Sequence, residues 1–266
     1  MHALTAVALL SSVLSTTHAT PVPATAEAFN ATEIEQRDIR GSLPVNAMGI
    51  EHQFQPLMDF DRDGCYYTSA IDPNGNVNPG LGPVAKCPAD DCRNKNRLEN
   101  NNLYSRTRCN NGWCAIMYEY YFEKDQTVCG SYGVGHRHDW ENVVVFVQNN
   151  QLRRVAPSCH GKYDHATNSF RADGNRAKVV YHQDGGGTHC IRMANAADDN
   201  VENYTGAWFL GRLVGWNGWP SVDLRNRVMN NWSGGVGPKL PDSKFADNLR
   251  KAAGNSVPGF DPTRDA

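Results

Sequence analysis

Residues 136–141, with the sequence HRHDWE, place two imidazoles, a guanidinium, two carboxylates and an indole directly before the apolar run VVVFV at 143–147. Alternate side chains of a regular β-strand share a face, so Asp139 and Glu141 would lie together at the mouth of a buried strand. Two carboxylates this close repel each other unless a cation or a basic side chain lies between them. The motif therefore predicts a compensating positive charge at this point.

Two further side chains are expected at the same strand mouth. The glycines of GVG at 133–135 free the backbone and predict a loop that swings His136 over it. Asp125 ends the preceding aromatic segment YYFEKD and reaches the mouth if the two strands are neighbours. The predicted ligand set is Asp125, His136, Asp139 and Glu141. Three carboxylates and one imidazole suit a divalent cation such as Mg2+ or Ca2+, with Mn2+ also possible. The alternative is a polar cluster without metal, in which Arg137 neutralises the acids.

The elements that must position these residues are mainly strands. The segment WCAIMYEYYFEKD alternates in the manner of a strand, while ENVVVFVQNNQLRRVAPS and AKVVYHQDGGGTHCIRM each predict a hairpin. Helical spacing occurs near the end, in SVDLRNRVMNNW and DSKFADNLRKAAG. In the second of these, Asp242 is the predicted N-cap and Gly254 the stop. Residues 72–102 are polar and predict a long loop held by disulfides. We expect one β-rich domain with a few peripheral helices.

Composition limits the functional class. The 266 residues carry a net charge of -2, which gives no reason to expect a nucleic-acid partner. Residues 1–19 have the apolar core and small terminal residues of a signal peptide, and residues 20–44 resemble a linker or removed pro-segment. Past the signal peptide, the sequence contains no run long and apolar enough for a membrane span. The chain is therefore expected to be secreted and extracellular.

The cysteines agree with an oxidising compartment. All eight lie beyond the signal segment, and an even number in a secreted chain predicts disulfides. The pairs CPADDC and CNNGWC leave structural zinc as the less favoured alternative. Glycosylation sequons begin at Asn30, Asn203 and Asn231, as secreted proteins often show.

Two segments resemble a known family, the necrosis- and ethylene-inducing-like proteins. GHRHDWE at 135–141 is identical to the heptapeptide signature of that family, and AIMYEYYFEKD at 115–125 is similar to its upstream segment. Glu119 stands where the family commonly has serine, and Glu123 where it has proline. The resemblance extends over about residues 45–255. It implies an actinoporin-like β-sandwich flanked by a few helices, in a domain at 45–266, with the cation site at the four residues assembled above.

The resemblance also implies roles for individual residues. Arg137 and His138 would brace the cation site, and His189 stands where the family has a site histidine. Thr188 stands where some toxic members carry aspartate, in the loop expected to contact a sugar. The cysteines that correspond to a family disulfide are Cys65 and Cys92.

The resemblance implies a function at the plant cell surface. Toxic family members are secreted cytolysins that bind glycosylinositol phosphorylceramide sphingolipids with the help of a divalent cation, permeabilise plant plasma membranes and cause necrosis. They act without enzymatic turnover, and a monomer is expected here. One alternative is a non-toxic secreted relative that binds surfaces or elicits immunity. Another is a metal-dependent hydrolase in which His136 or Glu141 activates water, although the sequence shows neither a second metal cluster nor a Ser/His/Asp motif. Exposed tryptophans such as Trp216 and Trp219 could touch membrane, but core positions are the favoured expectation.

Overall fold

The structure is a computed structural model that describes residues 39–47, 49–83, 91–127, 134–232 and 235–265. The predicted signal peptide, residues 20–38 of the predicted linker, and the Asn30 sequon lie outside the described residues, as do Cys87 and Cys129. Within the described part of the predicted linker, Leu43 is fully buried and its backbone N–H donates to Asn102 Oδ1 at 2.7 Å. The packed part of the chain therefore begins by Leu43.

The larger sheet has five strands in the spatial order β5-β4-β3-β2-β9. Its strands are β2 (Leu103–Asn110), β3 (Trp113–Gln126), β4 (Gly135–Gln148), β5 (Gln151–Pro157) and β9 (Leu213–Gly215). Neighbours are antiparallel except β2 and β9, which run parallel. The long pair β3–β4 forms the centre of the sheet, as the apolar runs in these segments predict.

The second sheet is smaller. It contains β1 (Leu57–Phe60), β6 (Ala172–Asp173), β7 (Arg176–Gln183) and β8 (His189–Met193). Strand β7 pairs in parallel with β1 and antiparallel with β6 and β8. The predicted hairpins are both present. In the β4–β5 turn, Asn149 and Asn150 have φ values of 51° and 56°, which is typical of a two-residue hairpin turn.

Two apolar cores cover the two faces of the five-stranded sheet. One lies between the sheets, where Phe122 of β3 stacks on Tyr181 of β7 with ring centroids 3.7 Å apart. The other lies between the large sheet and the C-terminal helices, where Phe146 belongs to the same cluster as Phe245 and Leu249. Burying each such side chain contributes about 1.5–3 kcal/mol. The predicted mainly β fold with two facing sheets and few helices is confirmed.

The helices are short and peripheral, and no helix in the described ranges has the length and apolar character that a bilayer crossing requires. They are α1 (Ile50–Gln53), α2 (Lys95–Glu99), α3 (Val222–Asn230) and α4 (Asp242–Ala253), with a 3-10 turn at Ala197–Asp199. The N-cap prediction for α4 was wrong. Pro241 takes that position with φ -58° and ψ 148°, and Asp242 is the first helical residue, where its carboxylate binds Arg106 instead. Gly254 ends the helix as predicted, with φ 52°.

The Cys65–Cys92 disulfide and a buried ion pair hold the described part of the polar segment before β2. It is less loop-like than predicted, because it contains α2. The structure contains the Cys65–Cys92 disulfide that the family resemblance implied, and the described residues also form the disulfides Cys109–Cys114 and Cys159–Cys190. Arg97 of α2 is 1% exposed and makes a salt bridge to the equally buried Glu123 of β3. A buried charge needs such a partner, so this pair fixes α2 against the sheet.

Candidate metal centre

A polar pocket lies where β3 ends and where β4 and β8 begin, and it holds most of the predicted site residues. Its volume is about 260 Å3. Its walls are Asp125, His136, Asp139, Trp140, Glu141, His160, Gly161, Thr188, His189, Gly235, Val236, Gly237 and Lys239. The four predicted cation ligands and both predicted sugar-loop residues are therefore brought together in one cavity.

A local break in strand geometry places His136 beside Asp139. These residues are three apart, so regular alternation would send them to opposite faces. Between them His138 has φ 62°, a left-handed backbone that is uncommon for any residue other than glycine. The β3–β4 ladder pairs Phe122 with Asp139 and Asp125 with His136 but passes over His138. A kink inside β4, which begins at Gly135, therefore turns His136 toward Asp139, while Gly133 of the predicted loop lies outside the described residues.

Three side chains form a compact group of potential metal ligands. One ligand atom from each of Asp125, His136 and Asp139 lies within 4.8 Å of the other two. Nδ1 of His136 is 2.7 Å from the carbonyl oxygen of His138 and must donate to it, because a carbonyl can only accept. Nε2 of His136 is then the acceptor nitrogen that a metal requires.

Neighbouring donors orient the two carboxylates. Asp125 accepts hydrogen bonds from the backbone N–H of His189, at 2.9 and 3.0 Å, and from Nδ1 of the same residue at 2.9 Å. Asp139 accepts one from the Tyr181 hydroxyl at 3.0 Å. On the far side of the His189 ring, Nε2 is 3.6 Å from Asp63 Oδ1, an ion-pair distance. His189 therefore acts by positioning Asp125 from the adjacent sheet.

The electrostatics of the pocket favour a bound cation. Burial, followed by the charge of Asp125, raises the pKa of Asp139 to about 7. Burial and the charge of Asp139 raise the pKa of Glu141 well above its usual range. Burial lowers the pKa of His189, but Asp125 and Asp63 outweigh it and raise that pKa to about 9. A divalent cation among these carboxyls would offset their repulsion and favour their ionised forms.

Glu141 lies in the same pocket but outside the group of three. Its Oε2 accepts a short hydrogen bond from the Ser158 hydroxyl. It is 6% exposed and also forms part of the cavity wall. The donors of the group, two carboxylates and one imidazole with Glu141 nearby, fit a hard divalent cation such as Mg2+, Ca2+ or Mn2+.

Arg137 and His138 are placed outside the pocket wall. The Arg137 guanidinium donates to the carbonyl oxygens of Pro79 and Gly80, at 2.9 and 2.6 Å, so it fastens the loop beside β4. Nδ1 of His138 lies 2.8 Å from the Tyr121 hydroxyl, and its ring packs edge-on against Trp232. Burial, with the charge of Arg137, lowers the pKa of His138 to about 4, so the ring is neutral. Both side chains therefore hold the kinked part of β4 in place from outside the pocket, Arg137 through the loop at 79–80 and His138 through Tyr121 and Trp232.

Sequence reasoning missed one wall of the pocket. Lys239 belongs to the segment before α4, and its backbone N–H donates to Oε1 of the buried Glu119 at 2.6 Å. The sequence contains one signal for this wall, because Glu119 stands where the family commonly has serine. No nearby sequence feature indicated that Glu119 would bind Lys239, which is 120 residues away. His160 and Thr188 form the opposite rim, with Nδ1 of His160 3.5 Å from the threonine hydroxyl.

The two tryptophans of GWNGWP, Trp216 and Trp219, both pack against the core. Trp219 is 9% exposed and stacks on Tyr104, with ring centroids 5.0 Å apart. Trp216 is partly buried between the guanidinium groups of Arg106 and Arg225, at 4.2 and 4.3 Å from their carbons. The core expectation is therefore confirmed for Trp219, and Trp216 packs at the edge of the same core.

Fold and site together define a class of protein. It is mainly β, with two facing sheets, and a pocket at one end of the central strands contains carboxylates and a histidine that could hold a cation. The model of the family described as necrosis inducing protein (NPP1) matches residues 49–252. The chain belongs to this family.

Relatives from two Phytophthora species support this membership. The chain is 38% identical over 136 residues to the necrosis-inducing protein NPP1 of Phytophthora nicotianae, an alignment that covers 48% of this chain and 54% of that relative. It is 34% identical over 206 residues to NLP effector protein 10 of Phytophthora capsici, covering 75% of this chain and 80% of that one. The first match thus spans about half the length of its relative, whereas the second spans most of it.

Solved structures show the same fold. Necrosis and ethylene inducing protein 2 from the causal agent of cocoa's witches' broom disease superposes with a TM-score of 0.66 at 27% identity, covering 80% of this chain and 95% of that one. NLPPya in complex with glucosamine superposes with a TM-score of 0.65 at 28% identity, covering 81% and 96%.

Proposed function

We propose that this chain is a secreted, divalent-cation-dependent cytolysin that binds glycosylinositol phosphorylceramide sphingolipids and permeabilises plant plasma membranes, which causes necrosis. The observation that carries the proposal is the group Asp125, His136 and Asp139, which lies in one pocket and includes two residues of the family signature, His136 and Asp139. The effector relatives and the glucosamine complex of NLPPya support a sugar-bearing headgroup as ligand.

Asp125, His136 and Asp139 would hold the cation, with Glu141 close enough to bind through water. When bound, a hard cation of this kind coordinates sugar hydroxyl oxygens in exchange for water. The cavity of about 260 Å3 is several times the volume of a water molecule, about 30 Å3, so it has room for a small polar group. Lys239 and His160 on the walls offer donors to the same ligand.

Recognition of this kind needs no bond to break, and we infer that the protein is not an enzyme. His189 and Tyr181 fix the two carboxylates on the buried side of the pocket. His136, whose side chain is 43% exposed, faces the open side. A headgroup would thus meet a site that is already organised, which lowers the entropy lost on binding.

The test is dye release from vesicles that contain plant glycosylinositol phosphorylceramide, with Mg2+ or Ca2+ and again with chelator. We expect release that requires both the lipid and the cation. Asp139→Asn should reduce release at least about tenfold, because it removes a charged ligand while keeping the shape. Asp173→Asn, at an exposed carboxylate of β6, is the matched control and should release dye like the wild type.

Other results would point to the alternatives. A folded wild-type protein that releases no dye under any of these conditions contradicts the cytolysin proposal and favours a non-toxic surface-binding or elicitor protein. Turnover of a phosphodiester substrate by the wild type, lost in Asp139→Asn, would instead favour a hydrolase.

A further inference from the structure

A second group of ligand-type side chains, which the sequence did not predict, adjoins the pocket and includes His160 of its rim. Its members are Cys159, His160, Asp184 and Cys190, and one ligand atom from each lies within 4.8 Å of the others. His160 Nε2 is 3.3 Å from Asp184 Oδ2, and Cys159 Sγ is 3.7 Å from the same oxygen. The two sulfurs are joined in a disulfide. The group shares no residue with the Asp125–His136–Asp139 group.

Three segments bring these residues together. Cys159 and His160 lie in a tight turn after β5, where Cys159 and Lys162 exchange backbone hydrogen bonds and His160 has φ 51°. Asp184 lies in the β7–β8 turn, and Cys190 is on β8. Their placement therefore follows from the β5 and β7–β8 backbones, and would persist if the bond between the sulfurs were opened.

We propose that these four residues form a zinc-class metal site that the Cys159–Cys190 disulfide masks. Two thiolates, one imidazole and one carboxylate are ligands that zinc accepts in tetrahedral sites. Zinc–ligand bonds of about 2.0–2.3 Å imply ligand atoms roughly 3.3–3.8 Å apart. The distances from Asp184 Oδ2 to His160 Nε2 and to Cys159 Sγ, 3.3 and 3.7 Å, already fall in that range, and the four ligand atoms lie within 4.8 Å of one another. The two sulfurs must separate for both to bind the metal.

The burial of the four ligands suits such a site. Cys159 and Cys190 are 7% and 0% exposed, whereas the side chains of His160 and Asp184 are 42% and 46% exposed. The sulfurs thus form a dry inner half, and the imidazole and carboxylate form an outer half through which a metal can enter. Nε2 of His182 lies 3.8 Å from Cys190 Sγ and offers a second imidazole near that sulfur.

Unmasking requires a dithiol reductant. One of its thiolates attacks a sulfur of the disulfide, and its second thiol then closes its own disulfide and releases both cysteines. Two electrons and two protons pass to Cys159 and Cys190, and each thiol loses its proton when it binds the metal. A metal held there would connect the turn after β5 to the β7–β8 hairpin, as the disulfide does.

The test uses variants that free one sulfur without any reductant, so that the other disulfides stay closed. Cys190→Ser frees the Cys159 thiol, and Cys159→Ser frees the Cys190 thiol. Cobalt(II) is the probe, because a sulfur-to-cobalt charge-transfer band reports thiolate ligation and cannot come from the carboxylate and imidazole ligands of the other pocket. Cys109→Ser is the matched control, since the described ligand clusters do not include Cys114.

We expect the band in at least one folded single variant, with cobalt bound at least about tenfold more tightly than in Cys109→Ser. Adding Asp184→Ala or His160→Ala to that variant should weaken binding again. Dithiol-reduced wild type should take up one more equivalent of zinc than Cys159→Ser/Cys190→Ser reduced in the same way.

The proposal is overturned if both single variants fold, by circular dichroism, and show no band beyond that of Cys109→Ser. It also fails if removing Asp184 and His160 leaves the band and affinity unchanged. If neither single variant folds, equal zinc uptake by the reduced wild type and the reduced double variant overturns it. None of these outcomes depends on whether the protein is a cytolysin.

Discussion

Burial of a carboxyl group at Glu119 should make the stability of the protein fall as pH rises. The side chain is fully buried in β3, and burial raises its pKa from 4.5 to about 8 despite the nearby charge of Lys239. Oε1 accepts the backbone N–H of Lys239, while Oε2 lacks a hydrogen-bond partner within the described structure. An uncharged carboxyl is therefore the favoured form in the folded protein.

The sign and size of the effect follow from linkage. Between about pH 4.5 and about pH 8 the folded state keeps a proton that the unfolded state has lost, so the free energy of unfolding decreases with rising pH. At about 1.4 kcal/mol for each pKa unit, the decrease between pH 5 and pH 9 is about 4 kcal/mol. Glu119→Gln cannot ionise, so this part of the pH dependence should disappear.

Urea unfolding of both proteins across this pH range measures the difference. Wild type and Glu119→Gln share every other titrating group, so subtracting their free energies of unfolding isolates Glu119. Burying the amide N–H2 group has a cost that does not vary with pH, so it leaves the slope unchanged. Glu99→Gln is the matched control, because the Glu99 side chain is 47% exposed on α2. If the difference in free energy of unfolding between wild type and Glu119→Gln changes by less than about 1 kcal/mol between pH 5 and pH 9, the result refutes the reasoning.

Two further predictions concern the framework of the pocket. Removing the Cys65–Cys92 disulfide, whose sequence separation is 27, should lower the free energy of unfolding by about 3–4 kcal/mol. Removing Cys109–Cys114, with a separation of 5, should lower it by about 2 kcal/mol. Urea unfolding of the two double-serine variants checks this order, and the reverse order would contradict the loop-entropy argument. Gly135→Ala should weaken cation binding at least about tenfold, because the added Cβ would lie 2.2 Å from the Asp125 carbonyl oxygen at a φ of 128°. Calorimetric cation titration checks this against Gly41→Ala, whose Cβ would meet nothing within 4 Å, and equal affinities would contradict it.

Strands and hairpins could be predicted where the sequence encodes them locally. The alternation in residues 113–125 predicted the strand that the structure shows as β3, and the polar residues QNN at 148–150 predicted the β4–β5 turn. These signals depend on neighbours in the sequence. The helix start at Asp242 was misplaced because its carboxylate binds Arg106, a partner 136 residues away.

The pocket could be predicted only in part. Asp125, Asp139 and Glu141 follow from strand pairing and alternation. His136 reaches them through the left-handed backbone of His138, a conformation that histidine adopts more often than most residues but that the alternation pattern of the strand does not predict. Lys239 reaches the pocket because its N–H binds Glu119, an interaction that only the tertiary packing of the α4 segment creates.

The most direct test of the cation site is calorimetric titration of the purified, metal-stripped protein with Mg2+ or Ca2+. We predict one binding site in the wild type, loss of at least about tenfold in affinity in Asp139→Asn, and unchanged affinity in Asp173→Asn. Wild-type protein that is folded but binds neither cation would contradict the account. Equal binding by wild type and Asp139→Asn would equally contradict it, by placing the cation elsewhere.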